Sequence, residues 1–168
     1  MRNWDMIASL EGHENEVKSV CWSCDGRWIA TCGRDKTVWI WESVGRGEFE
    51  CVTVLSGHSQ DVKFVQFHPQ SSSILFSCSY DDSIKVWHEE GDDWFCAETL
   101  TAHASTVWGL ALNTAGTKLV SVSADRSLIC WTDTRGGAPP KGRGVMESTW
   151  MKMGVLEEVH KYPIYRCV

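Results

Sequence analysis

Short runs of apolar residues, broken at close intervals by turn residues, recur along the chain and predict β-strands. The first four predicted strands cover residues 17–22, 28–32, 38–41 and 49–55. Turn-forming pairs such as Asp25-Gly26 separate them. No stretch shows a clear helical period of about 3.6 residues. The pattern therefore predicts an all-β fold.

The same strand pattern occurs three times, and each copy begins with a histidine. His13, His58 and His103 are evenly spaced. Each copy continues with a valine, a hydroxyl residue, an aspartate and a tryptophan in the same order. A period of about 40–45 residues with a His start and a Trp end is typical of four-stranded propeller blades. We predict a partial WD-repeat β-propeller of three blades, at about 10–42, 55–88 and 100–132, with incomplete flanking strands.

The chain after the third predicted blade changes in composition. Residues 133–148 carry paired glycines and paired prolines with few apolar residues, which is typical of a flexible inserted loop. Residues 151–156 resemble another outer strand. We predict that 149–168 as a whole begins a further, truncated blade.

The predicted blade number has a physical consequence for the ends of the arc. A propeller needs about four to eight blades to close. Each blade buries its faces against its neighbours, so three blades leave apolar sheet faces open at both ends. We therefore expect a fragment or a truncated form of a longer propeller, which self-associates or is poorly soluble by itself.

Each repeat supplies four polar side chains of the kinds that, in the WD-repeat proteins it resembles, form a buried hydrogen-bonded network. A neutral histidine both donates and accepts, tryptophan donates only, and a hydroxyl group does either, so the four groups satisfy one another. A Ser–His–Asp hydrolase triad is the alternative. We reject it because a catalytic site occurs once, not once per repeat, and we expect no enzyme. The predicted network residues are His13, Thr31, Asp35 and Trp41; His58, Ser77, Asp81 and Trp87; His103, Ser121, Asp125 and Trp131.

Two positions in each predicted blade point to the narrow face around the central channel. One position follows the valine of the first strand, and the other precedes the turn aspartate. These positions combine cationic and aromatic residue types, which dominate the hot spots of protein interfaces. We predict a cationic, aromatic surface that binds an acidic or phosphorylated partner segment. Its residues are Lys18, Lys63, Trp108, Arg34, Tyr80 and Ala124, with all but Ala124 expected to contact the partner.

Composition limits the partner class and the compartment. The formal net charge of −6 argues against nucleic acid and acidic membrane as partners. The first fifteen residues lack the pattern of a secretory leader, and no apolar run approaches the ~20 residues of a membrane helix. Eight cysteines in such a chain favour free thiols in a reducing compartment, which is the cytoplasm, the nucleus or both.

Two of the cysteines have the spacing of candidate metal ligands. Cys21 and Cys24 form a CxxC pair. A zinc or iron–sulfur site needs about four ligands, and the sequence has no second CxxC to supply the others. We therefore expect no metal and no cofactor. Cysteines at equivalent repeat positions, Cys32 with Cys78 and Cys51 with Cys96, are expected to pack as small apolar residues in strands.

Several segments go beyond generic repeat spacing. Residues 10–42, LEGHENEVKSVCWSCDGRWIATCGRDKTVWIWE, closely resemble the WD-repeat protein of the cytosolic iron–sulfur cluster assembly machinery, a seven-bladed propeller. The later segments SQDVKFVQFHP, SYDDSIKVW, DDWFCAETLTAH and STVWGLAL resemble its middle blades in the same order. The resemblance covers roughly residues 1–131, with a weaker match at 149–168.

This resemblance implies a non-catalytic scaffold that helps to deliver iron–sulfur clusters to client apoproteins. It implies partners within a targeting complex, namely a small acidic adaptor and a large helical-repeat protein, together with the clients. The functionally important surface arginine of that family lies in a CSRDK turn, which matches residues 32–36 here. The resemblance therefore assigns that role to Arg34.

A second function from another class is also compatible with the sequence. A substrate-receptor propeller of a ubiquitin ligase would recognise a phosphorylated segment through Lys18, Arg34 and Lys63. Co-purifying subunits separate the two functions: iron–sulfur targeting subunits in the first case, ligase subunits in the second.

Overall fold

The computed structural model describes residues 5–91, 93–135, 149–156 and 162 of the 168-residue chain. Within these residues every regular element is a β-strand, as the sequence predicts, and there is no helix that could cross a membrane. The strands are β1 (Val17–Trp22), β2 (Trp28–Gly33), β3 (Thr37–Gly45), β4 (Glu48–Ser56), β5 (Val62–His68), β6 (Ser71–Ser79), β7 (Ser83–Glu90), β8 (Asp93–Thr101), β9 (Val107–Leu112), β10 (Lys118–Ser123), β11 (Leu128–Asp133) and β12 (Trp150–Leu156).

The strands form three separate four-stranded sheets, each an antiparallel meander in chain order. The first sheet holds β1–β4, the second β5–β8 and the third β9–β12. Short hairpins suffice because consecutive strands are neighbours in each sheet. This architecture confirms the all-β class and the open, partial propeller.

The third sheet differs from the predicted boundaries. Strand β12 pairs antiparallel with β11, so that Trp131 faces Lys152 and Asp133 faces Trp150. Residues 150–156 therefore complete the third blade and do not begin a further one, because the edge of β11 binds them. The predicted loop also starts later, since Asp133 is still part of β11. Residues 136–148, 157–161 and 163–168 lie outside the described residues.

The core lies between the sheets, in two apolar clusters. The first joins the first and second sheets and includes Val38, Ile40 and Val65, all fully buried. The second joins the second and third sheets through residues such as Phe76 and Leu110. Each sheet alone would expose these faces to water, so stacking supplies the burial that stabilises it.

The hairpins between the second and third strands of each sheet share an uncommon backbone conformation. Lys36, Asp82 and Arg126 have positive φ angles of 69°, 66° and 70°. In each hairpin the preceding aspartate accepts a hydrogen bond from the backbone N–H two residues later in the chain. Such local side-chain bonds favour tight turns. The turn thus fixes the aspartate that the polar network uses.

The recurring cysteines fall into two groups. Cys32 and Cys78 are fully buried in β2 and β6, as their expected packing role requires. Cys51 and Cys96 are exposed, so the same expectation is wrong for them. They lie opposite Trp41 and Trp87 on the outermost strands β4 and β8, which have a strand neighbour on one side only.

Buried polar networks and a candidate partner-binding face

The structure brings the four predicted polar side chains of each repeat together in one hydrogen-bonded network. In the first sheet, His13 Nδ1 lies 2.6 Å from Asp35 Oδ2, and His13 Nε2 lies 2.8 Å from Thr31 Oγ1. Trp41 Nε1 donates to the same hydroxyl oxygen at 2.9 Å. The second and third sheets repeat this geometry: His58–Asp81 2.9 Å, His58–Ser77 2.8 Å, Trp87–Ser77 2.8 Å, His103–Asp125 2.9 Å, His103–Ser121 2.7 Å and Trp131–Ser121 3.0 Å.

Each network has a fifth member that sequence reasoning missed. The side-chain hydroxyl of Thr37 donates to Asp35 Oδ1 at 2.7 Å, and Ser83 and Ser127 bond to Asp81 and Asp125 at 2.6 Å. The signal was present as a hydroxyl residue two positions after every turn aspartate. Since both aspartate oxygens are engaged, each carboxylate is held from the turn side and from the histidine side.

The surroundings of the aspartates favour their charged form. Burial raises the pKa of Asp81, but hydrogen bonds from His58 and Ser83 outweigh burial and hold that pKa well below its ordinary value. At Asp125 burial is likewise outweighed, by hydrogen bonds from Ser127 and the Ala104 N–H, so its pKa is also lowered. The carboxylates therefore stay charged and accept bonds on both oxygens.

The serine hydroxyls of the networks are enclosed. Ser77 and Ser121 are fully buried, and each is already bonded to a histidine and a tryptophan. A nucleophile needs a path for substrate and an open site beside it. The geometry therefore ties four segments of each blade together and leaves no room for a substrate at these hydroxyls.

A separate buried histidine links stability to pH. His88 is buried in β7, and burial, aided by the positive charge of Arg135, lowers its pKa to about 4, although Asp133 acts in the opposite direction. An unfolded histidine has a pKa of about 6.5, so the stability from neutral His88 is fully present above pH 6.5 and is lost as the pH falls toward 4. We expect this residue to contribute a loss of about 1–2 kcal/mol in the free energy of unfolding between pH 7 and pH 4.5.

Denaturant titrations at several pH values, on the natural chain and on His88→Gln, measure this contribution. Glutamine cannot titrate, so the variant should lose stability less steeply with acid. His68 and His103, whose pKa values burial also lowers, remain in both proteins and leave a residual slope. Equal slopes would show that His88 is not the responsible group.

The predicted surface residues lie where the first strands and the turns of neighbouring sheets meet. Lys18, Arg34 and Tyr80 line one cleft of about 330 Å³ between the first and second sheets. Arg34 and Tyr80 are exposed at the turns after β2 and β6. We call the five residues Lys18, Arg34, Lys63, Tyr80 and Trp108 the candidate face.

Aromatic rings surround the lysine of the second sheet in the candidate face. Lys63 Nζ lies 4.9 Å from the ring centroid of Tyr80 and 5.3 Å from that of Trp108. The two rings meet edge to face, with centroids 6.3 Å apart. Cation–π contacts of this kind fix the ammonium group between the second and third sheets. Ala124, the third turn position, adds no charge to the surface.

The charge of the candidate face differs from the predicted one. Glu16 binds Lys18 at 2.9 Å and lies 3.7 Å from Arg34, while Asp61 binds Lys63 at 3.1 Å. Glu16 and Asp61 were not singled out from the sequence, although both stand directly before the valine of a first strand. The surface therefore carries both cationic and acidic side chains in ion pairs, and it is not a purely cationic patch.

The two cysteines of the CxxC pair lie in different environments. Cys21 is half-buried in β1, and burial raises the pKa of its thiol to about 12, while Cys24 is exposed in the following turn. A protonated thiol is a poor metal ligand and nucleophile. In the described ranges, His, Cys, Asp and Glu side chains form no group of three or more with metal-binding geometry.

Comparison with known proteins places these features in context. A family model for the WD domain, G-beta repeat, matches residues 4–42, 49–88 and 94–132. A probable cytosolic iron-sulfur protein assembly protein 1 of Chaetomium globosum is 38% identical over 197 aligned residues, covering 98% of this chain and 44% of the relative. The protein of the same name from Candida albicans is 43% identical, covering 96% and 48%. A probable cytosolic Fe-S cluster assembly factor of Schizosaccharomyces pombe is 41% identical, covering 97% and 28%.

The chain thus spans less than half the length of these curated relatives. The family matches fall on three successive repeats. Each repeat corresponds to one four-stranded sheet with its own histidine-centred network. The chain therefore belongs to the WD domain, G-beta repeat, family.

Proposed function

We propose that this chain is a non-catalytic scaffold of cytosolic iron–sulfur cluster assembly. The observation that carries the proposal is the similarity over 96–98% of the chain to proteins named for that process. Its partners are other subunits of the cytosolic iron–sulfur targeting complex and client apoproteins. The names of the relatives favour the cytosol and give no support to the nuclear location that composition left open.

We assign partner binding to the candidate face. Arg34 is exposed, and among the described residues its ionic contact is a long one with Glu16 at 3.7 Å, so its guanidinium group keeps donors for a partner. An acidic partner segment that entered the cleft would displace Glu16 from Lys18 and Arg34. The weak, solvent-exposed ion pairs with Glu16 would then be replaced by ion pairs with the partner, which are less exposed to water. Tyr80 and Trp108 would supply the apolar contact area beside it.

Arg34→Glu tests this assignment. The substitution places like charge beside Glu16 and repels an acidic partner, so we expect about 10- to 100-fold weaker binding of the targeting subunits. The matched control is Arg46→Glu, which makes the same charge change at an exposed hairpin position between β3 and β4. Tagged chains are captured from cytosol, and the bound subunits are quantified by mass spectrometry.

Two results would contradict the proposal. Unchanged binding by Arg34→Glu would show that the candidate face is misplaced. Recovery of ubiquitin-ligase subunits in place of iron–sulfur targeting subunits would favour the phosphorylated-segment receptor instead.

A further inference from the structure

A cleft of about 250 Å³ lies where the third sheet meets the connection that leads to it from the second sheet. Ile129 of β11 and Val155 of β12 lie opposite each other and line the cleft on one side. Both pack against the apolar cluster that joins the second and third sheets. Ala102 and Ala104, in the connection from β8 to β9, line the other side. The cleft is thus built at the junction of two sheets that the chain itself supplies.

In the first two sheets a long side chain occupies the matching space. The position of Ile129, opposite the network hydroxyl of the neighbouring strand, is held by Trp39 in the first sheet and by Lys85 in the second. A Cβ added to Gly12 would overlap the Trp39 ring, and one added to Gly57 would lie 3.5 Å from Lys85 Cε. Both glycines stand directly before the network histidine, where the third repeat has alanine. The third repeat therefore keeps the cleft open because its side chain at this position is short.

Two cationic side chains line this cleft without an acidic partner. Arg126 directly follows the turn aspartate, Lys152 lies on β12, and both are exposed. No carboxylate of the described residues lies within ion-pair distance of either side chain. Asp125 also lines the cleft, but its two oxygens already accept four hydrogen bonds within the network and the turn. The cleft therefore offers unpaired positive charge to a ligand.

The unpaired charge distinguishes the cleft from the other repeats and from the candidate face. Lys152 stands where the outermost strands of the first two sheets carry Cys51 and Cys96. Each cation of the candidate face has an acidic neighbour, which an acidic ligand must displace. A ligand of the cleft displaces only water, so no existing ion pair is lost when it binds.

We propose that this cleft binds an acidic side chain of a protein partner. The carboxylate accepts charge-assisted hydrogen bonds from Arg126 and Lys152 together. The aliphatic stem of a glutamate covers the apolar surface of Ile129 and Val155, which a small inorganic anion would leave in contact with water. The net charge of −6 opposes nucleic acid as the source of the anion. The proposal does not depend on the proposed function, because the cleft and the candidate face share no residue.

Binding of a fluorescein-labelled hexaglutamate peptide to the full chain at low salt tests the proposal. All measurements use the Arg34→Glu background, so that the candidate face contributes little to the signal. In that background Arg126→Gln and Lys152→Gln should each weaken binding about 3- to 10-fold, because each removes one charged contact. Lys36→Gln is the matched control. It removes the same charge at the same turn position of the first sheet, where φ is 69° and Trp39 fills the space, and it should leave the affinity nearly unchanged.

A variant with a filled cleft separates a shaped site from general attraction between charges. Ala102→Gly combined with Ile129→Lys recreates the residue pair of the second repeat and adds a positive charge. A shaped site requires this variant to bind the peptide more weakly while it keeps its β-sheet circular dichroism, whereas general attraction would make it bind more tightly.

Four results would overturn the proposal. The first is that the peptide does not bind, and the second is that Arg126→Gln and Lys152→Gln bind it as tightly as their background does. The third is that Lys36→Gln weakens binding as much as they do, or that the filled cleft binds more tightly. The fourth is that inorganic phosphate competes as well as the unlabelled peptide, which would indicate a site for small anions and not for a side chain of a partner.

Discussion

Replacing Asp81 by asparagine is expected to lower the free energy of unfolding by about 3–5 kcal/mol. The carboxylate accepts four hydrogen bonds: from His58 Nδ1 and the Ser59 N–H at 2.9 Å, and from the Ser83 N–H and Oγ at 3.1 and 2.6 Å. Asparagine keeps the shape but turns one acceptor into a donor, so two of these donors would face an NH₂ group. A buried donor without an acceptor carries its full desolvation cost.

Asp82→Asn is the matched control, since it is the same substitution one residue later. Burial and the charges of Asp81 and Asp125 raise the pKa of Asp82, so its charge is not stabilised by the fold. Its φ of 66° lies in the left-handed region, where asparagine is well tolerated. We expect a change within about 0.5 kcal/mol. Denaturant titration at pH 7 measures both variants, and equal costs would show that the network of the second sheet contributes little.

The same comparison has a second readout in acid. Because the folded pKa of Asp81 is lowered, the stability from its charge is fully present above the unfolded pKa of about 3.9 and is lost as the pH falls further. Below about pH 4 the free energy of unfolding should therefore fall less steeply with acid in Asp81→Asn than in the natural chain, whereas Asp82→Asn should keep the steep fall. A merely steric defect at residue 81 would not alter this pH dependence.

The repeat made the networks accessible from the sequence alone. Their members recur in the same order in each repeat, with the histidine 22 or 23 residues before the aspartate. Hydrogen-bond capacity agrees with the network that the resemblance to WD-repeat proteins implies. The hydroxyls of Thr37, Ser83 and Ser127 recur just as regularly, but a hydroxyl in a turn is common and gave no reason to assign it a partner.

Other features depend on how neighbouring segments meet, which the repeat does not encode. The carboxylates of Glu16 and Asp61 make the charge of the candidate face differ from the predicted cationic one. They do so because the residues directly before β1 and β5 lie beside the cationic residues of this face. The membership of β12 in the third sheet was hidden by the long insertion before it. Cys51 and Cys96 repeat faithfully yet are exposed, since equivalence fixes a position but not its burial on an outer strand.

The contact between His68 and Gly116 also depends on how two neighbouring sheets meet. It leads to a second prediction with a large effect on stability. His68 is buried at the end of β5, and its Nε2 lies 3.1 Å from the Gly116 carbonyl oxygen in the third sheet. Its Nδ1 accepts from the Gln70 N–H at 3.1 Å, so Nε2 carries the hydrogen and donates it. A Cβ added at Gly116 would overlap the imidazole ring, and the φ of +72° is strained for any residue with a side chain.

Gly116→Ala is therefore expected to cost about 2–5 kcal/mol, of which about 1–2 comes from the left-handed backbone and about 1–3 from overpacking against the ring. Gly26→Ala separates the two terms, because Gly26 has the same φ of +72° in the matching turn of the first sheet and nothing within 4 Å of an added Cβ. It should cost only the backbone part. Denaturant titration of both variants gives the difference.

Adding His68→Ala to Gly116→Ala completes the argument with a double-mutant cycle. Removing the ring opens the space that the new methyl group needs, so the double variant should be more stable than the sum of the two single losses implies. A positive coupling of at least about 1 kcal/mol would locate the cost at this contact between the second and third sheets. Additive losses, or equal costs at Gly116 and Gly26, would mean that the turn tolerates the methyl group by moving away. The packing of these two blades would then be looser than the distance between His68 and Gly116 requires.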